Sequence, residues 1–265
     1  MSKIAIIIPA RYASTRFPGK PLAMLGGKAM LAHVYHNARE AVAGLDNATL
    51  MVATDDSRIS SYCLEAGFNC VMTSESCHTG TDRVVEAAGA LPERPDFILN
   101  MQGDAPFTPA DFIRAMIDEY LENPDSDIIT PVTRMTWTQL DKLRDSKQTT
   151  PFSGTTAVLD ANRNALWFSK NIIPAIRKED KLRDSDELSP VFRHIGLYGY
   201  TWDALQKYKD MEPSYYEELE GLEQLRALEN GMKIRAVIVD YKGRPSMSGV
   251  DSPEDLIRAE ALLAS

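Results

Sequence analysis

Three cationic side chains, Arg11, Arg16 and Lys20, lie close together in the stretch IAIIIPARYASTRFPGKPLAMLGGK, residues 4 to 28. Cations at that density on one loop suit a polyanion, a nucleoside triphosphate above all. Far along the chain two carboxylates stand in turn-like motifs, Asp104 in Gln102-Gly103-Asp104 and Asp251 in Gly249-Val250-Asp251. Taken singly they read as a turn aspartate and the neighbour of a helix cap. Beside a triphosphate loop they read as hard oxygen ligands, and such ligands together with phosphate oxygens commonly hold Mg2+. The chemistry open to this set is transfer of a nucleotide to a hydroxyl with loss of pyrophosphate. That reaction needs an in-line nucleophile and neutralised phosphoryl charge more than covalent help from the protein. Arg11, Arg16 and Lys20 would grip the phosphates. Asp104 and Asp251 would hold one or two Mg2+ ions that lower the hydroxyl's pKa. The loop is not a Walker A motif, because Ala29 follows Gly27-Lys28 and Leu22 stands where its first glycine would be.

The elements that must carry these groups follow from apolar periodicity. Residues 4 to 8 form a short, nearly unbroken β-branched run, the mark of a strand buried on both faces. The run ends at Pro9, which cannot donate to a sheet ladder. The basic loop therefore leaves the carboxyl end of a central strand, where open α/β sheets bind ligands. Met30, Leu31, Val34, Ala38 and Val42 recur at helical spacing and predict a helix over 29–43. A second strand over 48–53 ends at Thr54-Asp55-Asp56, and Ser57 is expected to cap a helix that stops at Gly67. Further strands are expected at 69–72 and 97–101, with helices over 81–90 and 109–121. Asp104 thus projects from the same sheet edge as the basic loop.

Beyond residue 127 the pattern loosens, with strands expected at 128–132, 155–159, 165–168, 192–200 and 234–239. Residues 177 to 190 read as a polar excursion with few anchors. A strong helix is expected over 215–228, with Glu220 and Gln224 on one face. A last helix is expected to be capped by Ser252, with Pro253 in its first position. The β-α alternation implies an α/β, Rossmann-like, mostly parallel central sheet with helices on both faces, plus a smaller lobe.

Composition narrows the function classes. The chain has 265 residues, 44% hydrophobic and 25% charged, enough for a large core in one α/β domain. Its net charge of −9 argues against nucleic acid as a partner. No apolar run approaches the roughly 18 residues that cross a bilayer, so no membrane partner is expected. Cys63, Cys70 and Cys77 form no CxxC or metal-ligand pattern and read as reduced thiols in a cytoplasmic protein.

The form PARYASTRFPGKPL resembles the N-terminal signature of the CMP-Kdo synthetases, the 3-deoxy-manno-octulosonate cytidylyltransferases. The likeness continues in order through VATD (52–55), Met72-Thr73, TGTDR (79–83), NMQGD (100–104), RHIGLYGY (193–200) and LEQLR (222–226). It implies one nucleotidyltransferase domain over 1–265. Residues 1–135 would be mainly nucleotide-binding and 136–245 mainly sugar-binding and dimerising, with the metal aspartate and last helix in 246–265. It implies CTP and an acidic sugar as substrates, Mg2+ as cofactor and a homodimer to which the 177–190 excursion contributes.

By residue, the resemblance implies catalytic roles for Lys20, Arg16, Asp104 and Asp251, with metal bound by Asp104 and Asp251. The nucleotide would be met by Pro9, Ala10, Arg11, Arg16, Lys20, Met72, Thr73, Gly80, Thr81, Arg83, Gln102 and Gly103. Gln102, Lys170, His194, Tyr198, Glu220, Glu223 and Gln224 would line the sugar pocket. His194 by itself would read as an interior histidine; His33 and His36 read as structural, and His78 stays open.

Departures from the family pattern gather in the sugar half. Ala105 replaces the acid of QGDEP, Thr156 stands at a lysine position, and Lys170 follows Ser169 where arginine is usual. They raise the expectation of a variant acceptor, such as 8-amino-8-deoxy-Kdo or another ulosonic acid. Two rivals stay open: a nucleotidyltransferase using a sugar phosphate and another base, and a nucleotide-binding regulator that has lost turnover.

Overall fold

The computed structural model describes residues 2–13, 16–247 and 249–264. In chain order it begins with β1 (Ile4–Pro9), β2 (Met24–Leu25), β3 (Lys28–Ala29), α1 (Met30–Ala41), β4 (Ala48–Thr54) and α2 (Ser57–Ala66). Next come β5 (Cys70–Met72), α3 (Gly80–Gly89), β6 (Phe97–Asn100), α4 (Ala110–Glu122), β7 (Ile128–Thr136) and α5 (Trp137–Thr149). Then follow β8 (Thr156–Leu159), β9 (Ala165–Ser169), α6 (Glu179–Ser185), β10 (Leu188–His194), β11 (Tyr198–Thr201) and α7 (Trp202–Lys209). The chain closes with α8 (Tyr215–Glu220), α9 (Gln224–Glu229), β12 (Ile234–Ile238) and α10 (Pro253–Leu263). These elements divide into two compact units. The larger comprises Met1–Pro124, Leu197–Lys209 and Tyr241–Ser265; the smaller comprises Asp125–Gly196 and Asp210–Asp240.

In the larger unit the strands lie in the order β5-β4-β1-β6-β11. β1 pairs in parallel with β4 from Ile4↔Ala48 to Pro9↔Ala53, and with β6 from Ile4↔Phe97 to Ile7↔Asn100. These registers bring the carboxyl ends of three strands to one edge, so the loops that carry Lys20, Asp55 and Asp104 start together. Ile4, Ala5, Ile6, Ile7 and Ile8 are each at most 1% exposed, as a strand covered on both faces must be. β11 returns antiparallel to β6, with Gly199 opposite Leu99. A Cβ on Gly199 would stand 2.1 Å from the Phe97 ring, which itself stacks on Tyr120 at 4.4 Å. Only glycine leaves space for that ring.

Asp56, not Ser57, caps α2, accepting from the Arg58 backbone N–H, and Gly67 ends that helix at φ 70°. Thr79 and Asp82 form a reciprocal capping box on α3. Ser252 and Asp255 do the same on α10, with Pro253 in its first turn.

The smaller unit has strand order β12-β7-β10-β8-β9, with β12 parallel to β7 and the remaining pairs antiparallel. Met135, Trp137, Leu140, Leu143 and Val191 form a buried cluster here, with Ile172 and Ile176 packed on it. Three expectations for this half need correction. The helix expected over 215–228 is two helices, because Gly221 takes a left-handed φ of 61° after Glu220. Glu220 therefore ends α8 and Gln224 opens α9, so they do not share a helix face. The strand expected over 192–200 breaks after His194 and resumes at Tyr198 as β11. The polar excursion contains α6, anchored where Glu179 accepts from Arg144 at 2.7 Å and Arg183 donates to Asp141 at 2.6 Å. Those anchors are charge pairs, invisible to a reading of apolar periodicity.

Candidate active site

The basic loop, both aspartates and the base-side segment all belong to the larger unit. β1 delivers Pro9 and Ala10 at the sheet edge, where the Ala10 N–H donates to the Ala53 carbonyl at 2.9 Å. A Cβ on Gly103 would stand 2.8 Å from the Pro9 carbonyl oxygen, and one on Gly80 would stand 3.5 Å from the Pro9 ring. Pro9, Gly80 and Gly103 therefore meet, and Gly103 tolerates no side chain at the point of contact.

Lys20 is the hub. Its ammonium donates to Asp104 Oδ2 at 2.7 Å and to Asp251 Oδ1 at 3.1 Å. Arg16 reaches the same Asp251 oxygen with Nη2 at 3.3 Å. Burial alone would lower the Lys20 pKa, but the charges and hydrogen bonds of Asp104 and Asp251 outweigh it and raise it above the ordinary lysine value. The backbone fixes both carboxylates. The Val250 N–H donates to the Asp104 carbonyl at 2.9 Å, tying the two acidic segments together directly. Val250 is fully buried with Leu25, Met30 and Ala259, while Asp255 Oδ2 accepts the Asp251 N–H at 3.0 Å. Arg11 donates from Nη1 to the His78 carbonyl at 2.8 Å, just ahead of α3.

On the base side, the Thr73 N–H donates to the Thr54 carbonyl at 2.8 Å, which extends β5 past Met72. Arg83 is fully buried; it donates from Nη2 to Asp55 Oδ2 at 2.6 Å and from Nη1 to the Thr73 hydroxyl. Its guanidinium therefore acts through Thr73 and Asp55, and cannot reach solvent. Thr81 is buried beside Asn100, whose side-chain amide donates to its hydroxyl at 3.4 Å. Met72 is half exposed at the segment's edge. Gln102 lies in the turn ahead of Asp104, its carbonyl accepting the Ala105 N–H at 3.2 Å.

The expected sugar residues are distributed over both units. Gln102 and Tyr198 belong to the larger one, where Tyr198 is buried and pairs with Asn100. Lys170, His194, Glu220, Glu223 and Gln224 belong to the smaller one. There the structure joins Lys170 to Glu220. Glu220 Oε2 accepts the Lys170 N–H at 2.6 Å, and Oε1 accepts the Ser169 hydroxyl at 2.9 Å. His194 is 9% exposed, with Nε2 2.8 Å from the Thr130 hydroxyl and its ring edge-on to Phe168. Burial, helped by the nearby Lys170 charge, pushes its pKa down to about 3, so the imidazole is neutral. Burial raises the Glu223 pKa. Gln224 is also buried, at 4% exposure. Thr156, at the lysine position, holds a turn: its hydroxyl donates to the Asn171 carbonyl at 2.7 Å and accepts the Ile173 N–H at 3.1 Å.

Sequence reasoning missed Lys147. Its ammonium donates to the carbonyls of Ser153 at 2.6 Å and of Pro151 and Gly154 at 3.2 Å, and also to that of Lys170. Burial and the charges of Arg193 and Lys170 lower its pKa. No apolar pattern marks it, since its partners are backbone oxygens from two later loops. Asp55 likewise reads from the sequence only as the end of a strand, and Arg58 carries no signal there.

Among the described residues no group of three or more His, Cys, Asp or Glu side chains could hold a metal ion. The pair Asp104 and Asp251 nonetheless fits a Mg2+ that keeps most of its ligands as water and phosphate oxygens. Two carboxylates already converge on one cation there, the Lys20 ammonium. No helix of the described residues is long and apolar enough to cross a membrane.

A family description, Cytidylyltransferase, matches residues 5–234. The 3-deoxy-manno-octulosonate cytidylyltransferase of Maricaulis maris (strain MCS10) is 43% identical over 265 residues, covering 100% of this chain and 98% of the relative. The protein of that name from Desulfosudis oleivorans (strain DSM 6200 / JCM 39069 / Hxd3) is 39% identical, covering 99% and 98%. Among solved structures, a CMP:2-keto-3-deoxy-manno-octonic acid synthetase complexed with CTP superposes with a TM-score of 0.83 at 31% identity, covering 99% of both chains. With a parallel sheet edge that gathers a basic loop and two facing aspartates, and with likeness along its whole length, this chain belongs to the cytidylyltransferase family, among the 3-deoxy-manno-octulosonate cytidylyltransferases.

Proposed function

We propose that the chain transfers CMP from CTP to a 3-deoxy-2-ulosonic acid, Kdo or a close analogue, and releases pyrophosphate. The observation that carries this reading is the single ammonium of Lys20 held between Asp104 and Asp251, with Arg16 on the same Asp251 oxygen. The acceptor's hydroxyl oxygen forms a bond to the α-phosphorus of CTP, the bond from that phosphorus to the bridging oxygen breaks, and the hydroxyl proton leaves to solvent. Arg11, Arg16 and Lys20 bind the triphosphate and offset the charge on the departing pyrophosphate. Pro9, Ala10, Gln102 and Gly103 shape the strand-edge floor, and Met72, Thr73, Gly80 and Thr81 meet the base, with Arg83 bracing Thr73 from behind. Asp104 and Asp251 would hold a divalent ion, Mg2+, which when bound supplies charge neutralisation at the phosphates.

Lys170, His194, Tyr198, Glu220, Glu223 and Gln224, with Gln102, are assigned to the acidic sugar. The neutral His194 can hydrogen-bond a sugar hydroxyl without adding charge. The protein is further read as a cytoplasmic homodimer that serves lipopolysaccharide or surface glycan synthesis. Pyrophosphate release with CTP, Mg2+ and a panel including Kdo and 8-amino-8-deoxy-Kdo tests the reading. Release with an ulosonic acid supports it, and the preferred acid names the acceptor. CTP binding without release from any acid would favour a regulator, and preference for UTP or dTTP would favour a sugar-phosphate enzyme.

A further inference from the structure

The loop that carries Arg16 and Lys20 is held by a contact none of the roles above uses. The Gly19 N–H donates to the Tyr12 carbonyl at 2.9 Å and closes the span between them. Gly19 has φ 72°, and a Cβ there would stand 3.0 Å from Tyr12 Cζ, so the ring lies directly against the loop's closing residue. The Arg58 guanidinium carbon lies 3.3 Å from the centroid of the same ring. Arg58 is not free to wander. Asp56 Oδ1 accepts both its backbone N–H and its Nε–H at 2.9 Å, and Oδ2 accepts Nη2–H at 2.6 Å. A guanidinium fixed in two hydrogen bonds and laid on an aromatic ring is a latch between the β4–α2 junction and the basic loop.

The neighbouring residue gives the arrangement its sense. Asp55 pairs with Arg83, which braces Thr73 on the base side. Asp56 pairs with Arg58, which braces Tyr12 on the phosphate side. Two successive carboxylates just past β4 thus steady the segment that follows β5 and the loop that follows β1.

We propose that Arg58 is a positioning residue: through Tyr12 it holds Gly19, and with it the neighbouring Arg16 and Lys20, in the triphosphate-binding shape before nucleotide arrives. The assignment rests on the cytidylyltransferase reading. A loop ordered in advance costs less to order on binding, so loss of the latch raises KM for CTP and leaves kcat nearly unchanged. An exposed cation–π contact supports an effect of about two- to fivefold.

The test compares the native protein with Arg58→Gln, Tyr12→Leu, Tyr12→Phe and the double variant R58Q/Y12L. The first readout is the rate of tryptic cleavage after Arg16, with no nucleotide present, on protein whose circular dichroism matches the native. Arg58→Gln and Tyr12→Leu are expected to speed cleavage by roughly two- to fivefold. The double variant should cleave no faster than either single one, and Tyr12→Phe should keep native protection because the ring remains. The second readout is KM for CTP against kcat in pyrophosphate release, where the same ranking should appear in KM. Unchanged cleavage in both Arg58→Gln and Tyr12→Leu overturns the latch, as does additive cleavage in the double variant. Equal loss in Tyr12→Phe and Tyr12→Leu also overturns it, by assigning the effect to the hydroxyl. If the native protein releases no pyrophosphate, the functional reading fails while the trypsin comparison still decides the latch.

Discussion

Replacing Lys20 by methionine removes one charge from a site that has two opposing ones waiting. The ammonium's bond to Asp104, at 2.7 Å between side chains 16% and 28% exposed, is the kind of charge-assisted contact that contributes about 1.5–3 kcal/mol. The contact to Asp251 is longer, and that carboxylate is 46% exposed, so solvent screening leaves it about 0–1 kcal/mol. Methionine keeps the packing of the lysine stem and is relieved of desolvating a charge, so the net loss of stability is about 2 kcal/mol. Without the ammonium, Asp104 and Asp251 repel each other, and a divalent ion would replace what was removed. Urea unfolding of Lys20→Met should therefore show a midpoint well below native without Mg2+ and a larger gain on adding it than the native protein shows. The native ammonium, its pKa raised, stabilises fully below about 10.5 and loses that contribution only as pH climbs through the raised value. Pyrophosphate release should fall by roughly 100- to 1000-fold, the cost of losing one preorganised donor to a developing anion. Turnover within tenfold of native, or a Mg2+ response no larger than native, would refute the claim that Lys20 and the metal share one pair of carboxylates.

Other outcomes follow from the same geometry. Asp251→Asn should lower pyrophosphate release at least about 100-fold while thermal unfolding moves little, since the Asp251 N–H stays bonded to Asp255. Gly103→Ala places a methyl 2.8 Å from the Pro9 carbonyl, so the end of β1 must move. A loss of about 1–3 kcal/mol in unfolding, together with weakened CTP binding by calorimetry, is expected. Cys70 should be the thiol that iodoacetamide modifies first, with a midpoint near pH 7. Hydrogen bonds from Cys63 and then Ser60 lower its pKa to about 7, while burial pushes Cys77 up to about 11; peptide mass spectrometry over pH 6 to 9 reads this out. Glu179→Gln should lower the melting temperature by a few degrees, about 1 kcal/mol for a partly exposed network. Arg144 and then Arg183 hold the Glu179 pKa down to about 2. The native network is thus fully stabilising above about 4.5 and is lost as pH falls toward 2, so the difference between native and variant should vanish in acid.

What could be read from the sequence was what one element signals alone. The isoleucine run with its terminal proline marked β1, and the registers with β4 and β6 explain why Lys20 and Asp104 start from one edge. Ser252 and Pro253 marked the start of α10 because capping chemistry is local. The larger unit was therefore legible to within a residue or two at most element ends. The smaller unit was less so. Its anchors are Arg144 with Glu179, Lys147 with the Lys170 carbonyl, and Thr156 with the 171–173 turn, each joining residues far apart in the chain. The break at Gly221 was visible as a glycine, but the leucines on either side imitate one continuous helical stripe. The packing of Arg83 was hidden for the same reason. Motif position suggests a nucleotide contact, and only the packed structure reveals a buried guanidinium that donates to Thr73 and Asp55.

The carboxylate of Asp251 comes to Lys20 from 231 residues further along the chain. It is secured there by α10, whose Glu260 caps the Gly26 N–H at 2.9 Å at the tip of the hairpin between β2 and β3. On a ribosome, most of the sheet would be synthesised long before this second acid emerges. A nascent chain would expose its basic loop with one anionic partner only, and the two carboxylates on Lys20 would come together only once α10 had docked. A copy that stops short of α10 is therefore expected to be inert instead of half-active.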